Sequence, residues 1–550
     1  MAIGTSVEVL RRKSAGLRAL AATLALSLGL EACVGPDFMP PAPPVVGAFT
    51  PERLTKSAQA GGKMQSFEVT SSLPSDWWAL FHSQALNGLI ARALRDNPTV
   101  EAAQAALRVA QANVYAEAGL LFPQASGSYE GQGGKIATSP ANGGVSAPIV
   151  APNGSNPVYY SLHTAQFTVS YVPDLWGGTR RQIENLEALK ESQRFANEAT
   201  FLTLTSSIAL GAIQEAQFRA QISVTERLIK IAKDILDKVK LQKNLGQASG
   251  LDVAAQEALV AQAEATLPPL RKALAVQHDA LTVLSGHLPG EGLLEQFSFE
   301  GLKLPRRLPL SLPADLISQR PDVRAAEANM HAACALIGVA IANRLPQISL
   351  TGNIGRSGTQ FANLFSNNPA FYFYTGLANA SQTIFDGFTL QQKQRAAEAG
   401  LDQAAAQYRL AVLTAFQNVA DALHAIRHDT AGLEKAILAE AAAAKSLKLT
   451  RLQLDEGQIA IQQVLIAQTT YLQASLTVIA AQTNRYADTV GLFAALGGGW
   501  WNRPSAPHVP QPEAWLTSVT ALRPDPIAVE YPGASQNEAK AHGAATAESR

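Results

Sequence analysis

The chain repeats itself, and the repeat constrains its fold more than any other feature. Pro98-Thr99-Val100-Glu101-Ala102-Ala103 and Pro321-Asp322-Val323-Arg324-Ala325-Ala326 lie 223 residues apart, and Phe122-Pro123-Gln124 keeps that spacing with Leu345-Pro346-Gln347. Further along the offset becomes 211: Leu241-Gln242 and Gly246-Gln247 pair with Leu452-Gln453 and Gly457-Gln458. Leu281 and Gly286 pair with Leu492 and Gly497 at that same offset. Anchors in one order, separated by loops of differing length, define a duplicated supersecondary unit.

Each half reads as the same series of elements. A helix of about 24 residues opens on a proline, whose missing N–H costs nothing in a first turn. It stops before the next proline, which cannot continue it. Two strands follow, then a very long helix, a glycine turn and a medium helix. The long helices are expected over Gly178–Asn244 and Phe388–Asp455, the medium ones over Leu251–Ser285 and Ile461–Leu496. At about 1.5 Å per residue the long helices reach on the order of 100 Å, and a medium helix stacked on a short one approaches that length. This predicts a tall helical cylinder. Pro268-Pro269 predicts a kink or break in the first medium helix, where the second half has Val478-Ile479-Ala480. Abundant alanine, leucine and glutamine, with aromatics at 7%, suit long helices. Forty-four basic and 44 acidic residues cancel, which argues against a nucleic-acid partner.

The strand segments alternate. Ala165, Phe167, Val169 and Tyr171 oppose Gln166, Thr168 and Ser170, and Ile348, Leu350 and Ile354 oppose Ser349, Thr351 and Asn353. The strands are expected over about 124–131, 165–172, 347–355 and 371–385, the last opening on the aromatic cluster Phe371-Tyr372-Phe373-Tyr374, which suits a membrane interface. On the first strand, Ala125, Gly127 and Tyr129 form the apolar side. The stretches Gly131–Pro157 and Arg356–Pro369 then fit exposed loops. An open sheet leaves backbone groups unpaired in lipid, so four strands per chain demand either oligomeric closure or a sheet that is not in a membrane at all. Two copies make a barrel too narrow for a wide channel, and three copies make twelve strands.

The N-terminus carries Arg11, Arg12, Lys13 and Arg18 ahead of an apolar run from Ala19 to Leu30, the pattern of a secretory signal. The run ends in Leu30-Glu31-Ala32-Cys33, which resembles the lipobox of bacterial lipoproteins, although Glu31 departs from it; Cys33 is the candidate lipidated residue. A Pro-rich stretch from Met39 to Val46 follows. Cys334 has no disulfide partner if Cys33 is lipidated, and it is expected to be buried as a small hydrophobe. No later stretch holds 18 consecutive apolar residues, so no transmembrane helix is expected after the signal.

These residues together resemble the outer membrane factor family, and within it the NodT-type lipoproteins of RND efflux systems. The resemblance rests on Cys33 with Gly35-Pro36-Asp37-Phe38; Asp76-Trp77-Trp78-Ala79-Leu80-Phe81; Leu86, Leu89, Ala93-Leu94 and Asn97-Pro98. It continues in Arg320-Pro321-Asp322-Val323-Arg324-Ala325-Ala326-Glu327-Ala328, Leu345-Pro346-Gln347-Ile348-Ser349-Leu350 and Ile384-Phe385-Asp386-Gly387. It implies a mainly α protein with a β-barrel part: a trimer whose strands complete a 12-stranded barrel in the outer membrane, above a periplasmic α-helical barrel built from two structural repeats. The expected organisation is a signal peptide (1–32), a lipid-anchored linker (33–75), two half-repeats (76–290 and 291–505) and a disordered tail (506–550). The implied function is the outer-membrane channel of a tripartite efflux pump, passive and not enzymatic. A periplasmic membrane-fusion adaptor and an inner-membrane RND-type pump are the implied partners, and a covalent lipid such as palmitate on Cys33 the only attached group. The alternatives are the duct of a type I protein secretion system and a periplasmic structural protein with a soluble sheet.

The family closes its periplasmic end by helix tips, often ringed with acidic residues. By the repeat the tips are Asn244–Gly250 and Asp455–Ile461. Where the family's efflux channels often place a carboxylate before an alanine–glutamine pair, this chain has Ile466 before Ala467-Gln468. An apolar Ile466 ring can gate by excluding water. Asp455 and Glu456 are the other pore candidates, against a reading as solvated turn residues, and Asp252 reads as a first-turn acid favoured by the helix dipole. His424 and His428 share a helix face without an evident third ligand, so no metal is expected. Trp500-Trp501 is expected to pack on the body or anchor at an interface.

Overall fold

The computed structural model describes residues 34–44, 46–51, 57–60, 63–69, 73–136, 158–310 and 313–503. The signal segment, Cys33, most of the first strand-to-strand loop and the tail lie outside the described residues.

The first helix, α1 (Gln84–Asp96), is capped by Ser83, whose hydroxyl accepts the N–H of Leu86, and it buries Leu86, Leu89, Ile90, Ala93 and Leu94. That spacing forms a single stripe, as an amphipathic helix requires. Pro98 ends α1 and opens α2 (Pro98–Ala118). The very long α3 (Gly178–Asn244) keeps its expected bounds. The predicted break falls at Thr266, between α4 (Gly250–Ala265) and α5 (Leu267–Leu284). Pro268 and Pro269 thereby occupy the first turn of α5, where their missing N–H groups are harmless. After α6 (Pro313–Gln319), the second half supplies α7 (Pro321–Ala342), α8 (Thr389–Asp455) and an unbroken α9 (Ile461–Ala495). The α8 helix starts one residue later than expected because Phe388 has φ 67°, outside the helical region. By length and composition alone α7 and α9 are apolar enough to cross a membrane, although neither holds an uninterrupted apolar run of 18 residues. Much of that apolar surface goes into packing, and α9 buries Arg485, whose Nε donates to Gln65.

The duplication reappears as matched contacts. Asn97 Nδ2 donates to the carbonyl of Leu284 at 2.8 Å, and Arg320 Nη1 donates to that of Ala495 at 3.0 Å. In each half the residue before the short helix's proline thus satisfies an end carbonyl of the medium helix. Gly286 (φ 86°) sits against the carbonyl of Asp96 and Gly497 (φ 92°) against that of Gln319; a Cβ at either glycine would lie 2.4 Å from that oxygen.

A four-stranded antiparallel sheet runs in the order β3-β4-β6-β7, with β3 (Gln124–Ile136), β4 (Val158–Tyr171), β6 (Gln347–Gly358) and β7 (Tyr372–Ser381). The first three are longer than expected and the last ends before Ile384. Glycines 131, 133 and 134 carry no side-chain pattern, yet their backbone stays in the ladder opposite His163, Ser161 and Tyr160. A second sheet was not anticipated. In it β1 (Ser57–Ala60) pairs antiparallel with β2 (Lys63–Val69), which pairs parallel with β5 (Arg307–Leu310). Part of the expected linker 33–75 is therefore folded. Its two strands are short, and the third strand of the sheet is far along the chain, so periodicity does not mark them.

The chain divides into two compact units, each drawn from both halves: 1–40, 109–191 and 328–406, then 41–108, 192–327 and 407–550. The first holds the four-stranded sheet. The second holds an aromatic core in which Trp77 meets Phe493 at 5.7 Å and Phe81 stacks on Tyr486 at 6.3 Å. Trp500 also belongs to this unit, edge-on to Phe195 at 5.7 Å and donating its indole N–H to Gln319. It packs on the body, one of the two expected outcomes.

Candidate functional site: a two-faced sheet and two helix tips

Register assigns the sheet's faces, because residues directly opposite across a ladder point the same way. Gly127, Phe167, Ile354 and Tyr374 form one cross-strand row, and Ala125, Val169, Gly352 and Gly376 the next. Tyr171, Leu350 and Ala378 continue this face toward the helices. The intervening rows hold Ser126, Thr168, Asn353 and Thr375, and Gln124, Ser170, Thr351 and Leu377. One face is therefore apolar and the other mostly polar, with Phe373 and Leu377 as exceptions. Phe167, Val169, Leu350, Ile354 and Tyr374 are all exposed on the apolar face. The alternation expected from the sequence places these residues on one surface, and Tyr372 and Tyr374 join it while Phe373 points the other way. Among the described residues β3 and β7 have unpaired outer edges.

The two tips close in the same way. Gly246 (φ 74°) and Gly457 (φ 70°) take left-handed conformations. The N–H of Gln247 then reaches the carbonyl of Gln242, and that of Gln458 the carbonyl of Gln453, each at 2.8 Å. This is the Schellman pattern that satisfies terminal carbonyls. Asp252 and Ser249 form a capping box, and hydrogen bonds from Ser249 hold the Asp252 carboxyl below its usual range. Behind the tips Ile235, Val239, Val253, Leu454, Ile461 and Val464 form a buried cluster.

Of the pore candidates, Asp455 accepts two bonds from Lys238 Nζ, at 2.8 and 2.9 Å, a partner the sequence did not single out. Glu456 accepts from Gln458 Nε2 at 2.7 Å. Ile466 is 61% exposed and shares a stripe of α9 with Thr470, Gln473 and Thr477. The chain therefore separates Asp455, which is neutralised locally, from Ile466, which points out of its own helix packing.

Above the tips, α8 and α9 bring two acids together. Asp488 is pushed up to about 7, first by burial and then by the neighbouring Asp429, with which it shares a hydrogen bond. A raised carboxyl contributes stability that is complete below its ordinary value of 3.8 and lost as pH rises through about 7. Asp488→Asn should therefore stabilise the fold at pH 8, by about 1–2 kcal/mol once solvent screening at this half-buried site is allowed for, and so raise the unfolding midpoint. It should also flatten the pH dependence between 4 and 7. Thermal melts across that range check the sign, and an unchanged slope would refute the coupling. His424 and His428 stack at 6.4 Å on α8, and no group of three or more metal-ligating side chains occurs among the described residues.

The segment that follows Cys33 is seated rather than trailing. Arg181 Nε donates to the carbonyl of Val34 at 3.2 Å, and its Nη2 donates to Asp37 at 2.7 Å. Gly35, at φ 102°, lies so close to Gly338 that a Cβ would be 2.6 Å from the latter's Cα. Phe38 stacks on His331 at 4.5 Å. Cys334 is buried beside Pro36, as expected of a small hydrophobe, and burial pushes its thiol up.

An antiparallel sheet with one apolar face, one mostly polar face and unpaired edges, in a chain with two very long helices, fits a protein that crosses a membrane by closing its strands with those of other copies. Residues 89–287 and 312–498 match the family described as outer membrane efflux protein, and the chain belongs to that family. It is 28% identical over 484 residues to the pyoverdine export outer membrane protein OpmQ of Pseudomonas putida, covering 87% of this chain and 97% of that one. It is 28% identical over 503 residues to nodulation protein T of Rhizobium leguminosarum, covering 91% and 97%. The fold is similar to that of the outer-membrane channel OprN, with a TM-score of 0.74 at 24% identity over 85% of this chain and 100% of that one. It is also similar to the Campylobacter jejuni CmeC outer membrane channel, with a TM-score of 0.74 at 20% identity over 86% and 96%. The chain is thus an outer-membrane efflux channel protein.

Proposed function

We propose that three copies of this chain close a twelve-stranded barrel in the outer membrane and form a passive exit duct for small molecules delivered by an inner-membrane RND-type pump through a periplasmic adaptor. The observation that carries this reading is the sheet. Its apolar face suits lipid and its polar face a water-filled lumen. Its free edges, β3 and β7, must find partners because an unpaired edge in a bilayer costs several kcal/mol per stranded group. Pairing β7 of one copy with β3 of the next satisfies both. A lipid on Cys33 would tether each copy, and the seated Val34–Phe38 segment would hold that lipid close to the body. A groove between α8 and α9, lined by Ala436, Ala439, Thr469, Gln473 and Ala474, offers small side chains against which an adaptor helix can pack. The relatives' names speak of export and efflux, which favours this reading over a protein-secretion duct.

The mature protein should run as a heat-modifiable, detergent-dependent trimer. Recovery as a soluble monomer without detergent would end the channel reading. For the gate, Ile466→Asp should change ion selectivity or leak in single-channel conductance, because it replaces an exposed apolar ring with charge. Unaltered selectivity and leak would remove Ile466 from the pore.

A further inference from the structure

The loop joining β6 to β7 does not stand clear of the sheet. Its helical turn Phe361–Phe365 folds onto the apolar face, burying Leu364. Phe361 meets Tyr129 edge-on at 5.8 Å and His163 at 6.0 Å. His163 is fixed in turn, with the Tyr129 hydroxyl 2.9 Å from Nδ1 and Ser161 Oγ 3.1 Å from Nε2. Arg356 holds the loop from the sheet side, its Nη1 donating to the carbonyls of Leu364 and Ser366. Register puts Tyr129, Ala165 and Arg356 in one row, immediately beyond the row of Phe167 and Ile354. From Ile348 to Arg356 the strand advances about 26 Å before tilt, roughly the height of an apolar membrane band. Arg356, in the row of Tyr129 and Tyr372, therefore stands at the outer rim of that band, on the side away from the helices.

The charge there is uncompensated. Among the described residues of the four strands and of 359–371, the one acid is Glu130, and it lies on the opposite face. Among the described residues Arg356 donates to the neutral carbonyls of Leu364 and Ser366 and to no acid. A guanidinium in one cross-strand row with Tyr129 and Tyr372, above exposed Phe167 and Ile354, matches an anionic headgroup with acyl chains below it. In a bacterial outer membrane the lipid on this side is a phosphorylated glycolipid.

We propose that Arg356, with the rings of Tyr129 and Phe361, docks the phosphorylated glycolipid of the outer leaflet, its phosphate on the guanidinium and its acyl chains along Phe167 and Ile354. The proposal rests on the barrel reading above, which makes this face the lipid-facing one. Its test uses the full-length channel in phosphatidylethanolamine nanodiscs, titrated with bisphosphorylated lipid A and read by native mass spectrometry. The wild type should retain lipid A about tenfold more tightly than Arg356→Gln, with Arg356→Lys close to wild type. Phe361→Ala, which leaves the charge in place, should lose affinity to a smaller extent. Dephosphorylated lipid A should not distinguish wild type from Arg356→Gln.

Equal retention of lipid A by wild type and Arg356→Gln would overturn the site, as would wild-type retention of the dephosphorylated lipid as tight as that of lipid A. Phosphatidylglycerol competing as well as lipid A would overturn the assignment to the glycolipid. Failure of every variant, wild type included, to form a heat-modifiable trimer would instead overturn the barrel and the site with it. A trimer that forms but ignores lipid A would leave the barrel standing.

Discussion

Arginine in place of Val169 should cost the assembled channel about 2–4 kcal/mol per chain, whereas arginine in place of Thr168, its neighbour, should be tolerated. The two residues are adjacent in β4 but belong to opposite faces. Val169 stands in the row of Ala125, Gly352 and Gly376, near the middle of the apolar band, and Thr168 in the row of Ser126, Asn353 and Thr375. In the proposed barrel a guanidinium at the first position would enter hydrocarbon, while at the second it would meet polar neighbours and lumen water. Because each copy carries the change, the loss in a trimer is felt three times. The yield of heat-modifiable trimer after expression, followed by its melting point in vesicles, separates the two variants. Equal tolerance of both would show that the sheet does not face lipid, and the soluble-sheet alternative would then gain ground.

Valine at Gly497 should be nearly as damaging, through a different mechanism. The residue has φ 92°, and a Cβ there would lie 2.4 Å from the carbonyl oxygen of Gln319. Backbone strain and a clash with main chain, which cannot rotate away, together cost about 3–5 kcal/mol. Gly286→Val should behave alike, since at φ 86° its Cβ would meet the carbonyl of Asp96 at the same 2.4 Å. The tip glycine Gly457 supplies the comparison. It shares the left-handed conformation at φ 70° but has nothing within 4 Å of its Cβ position, so Gly457→Ala should cost only about 1 kcal/mol. Unfolding midpoints of the three variants test the ordering. A Gly457→Ala defect as large as that of Gly497→Val would mean that conformation alone, rather than close approach, sets the penalty.

The matched ties at Asn97 and Arg320 show how far the repeat could be read. The prolines and glycines that mark the duplication are the residues at which a helix must start, stop or turn, so their spacing transmits the order of elements directly. The Pro268-Pro269 break and the alternation of β4 and β6 were legible for the same reason: each depends on local backbone chemistry. The three-stranded sheet was not, because its strands are short and β5, the partner of β2, lies far along the chain. Nor was the local partner of Asp455. Lys238 lies near the C-terminal end of the other long helix, and only the packing of the two halves brings the two within hydrogen-bond reach.

From sequence alone came the duplication, the helix lengths, the two faces of the strands and the family that those features resemble. The tertiary structure alone decided which rows of the four strands stand side by side, which acids meet across α8 and α9, and that the loop after β6 folds back onto the apolar face around Arg356. The physical reason is range. Propensity, capping and alternation act within a few residues of the backbone, whereas register, shared protons and uncompensated charge are set by groups that meet only after the chain has folded.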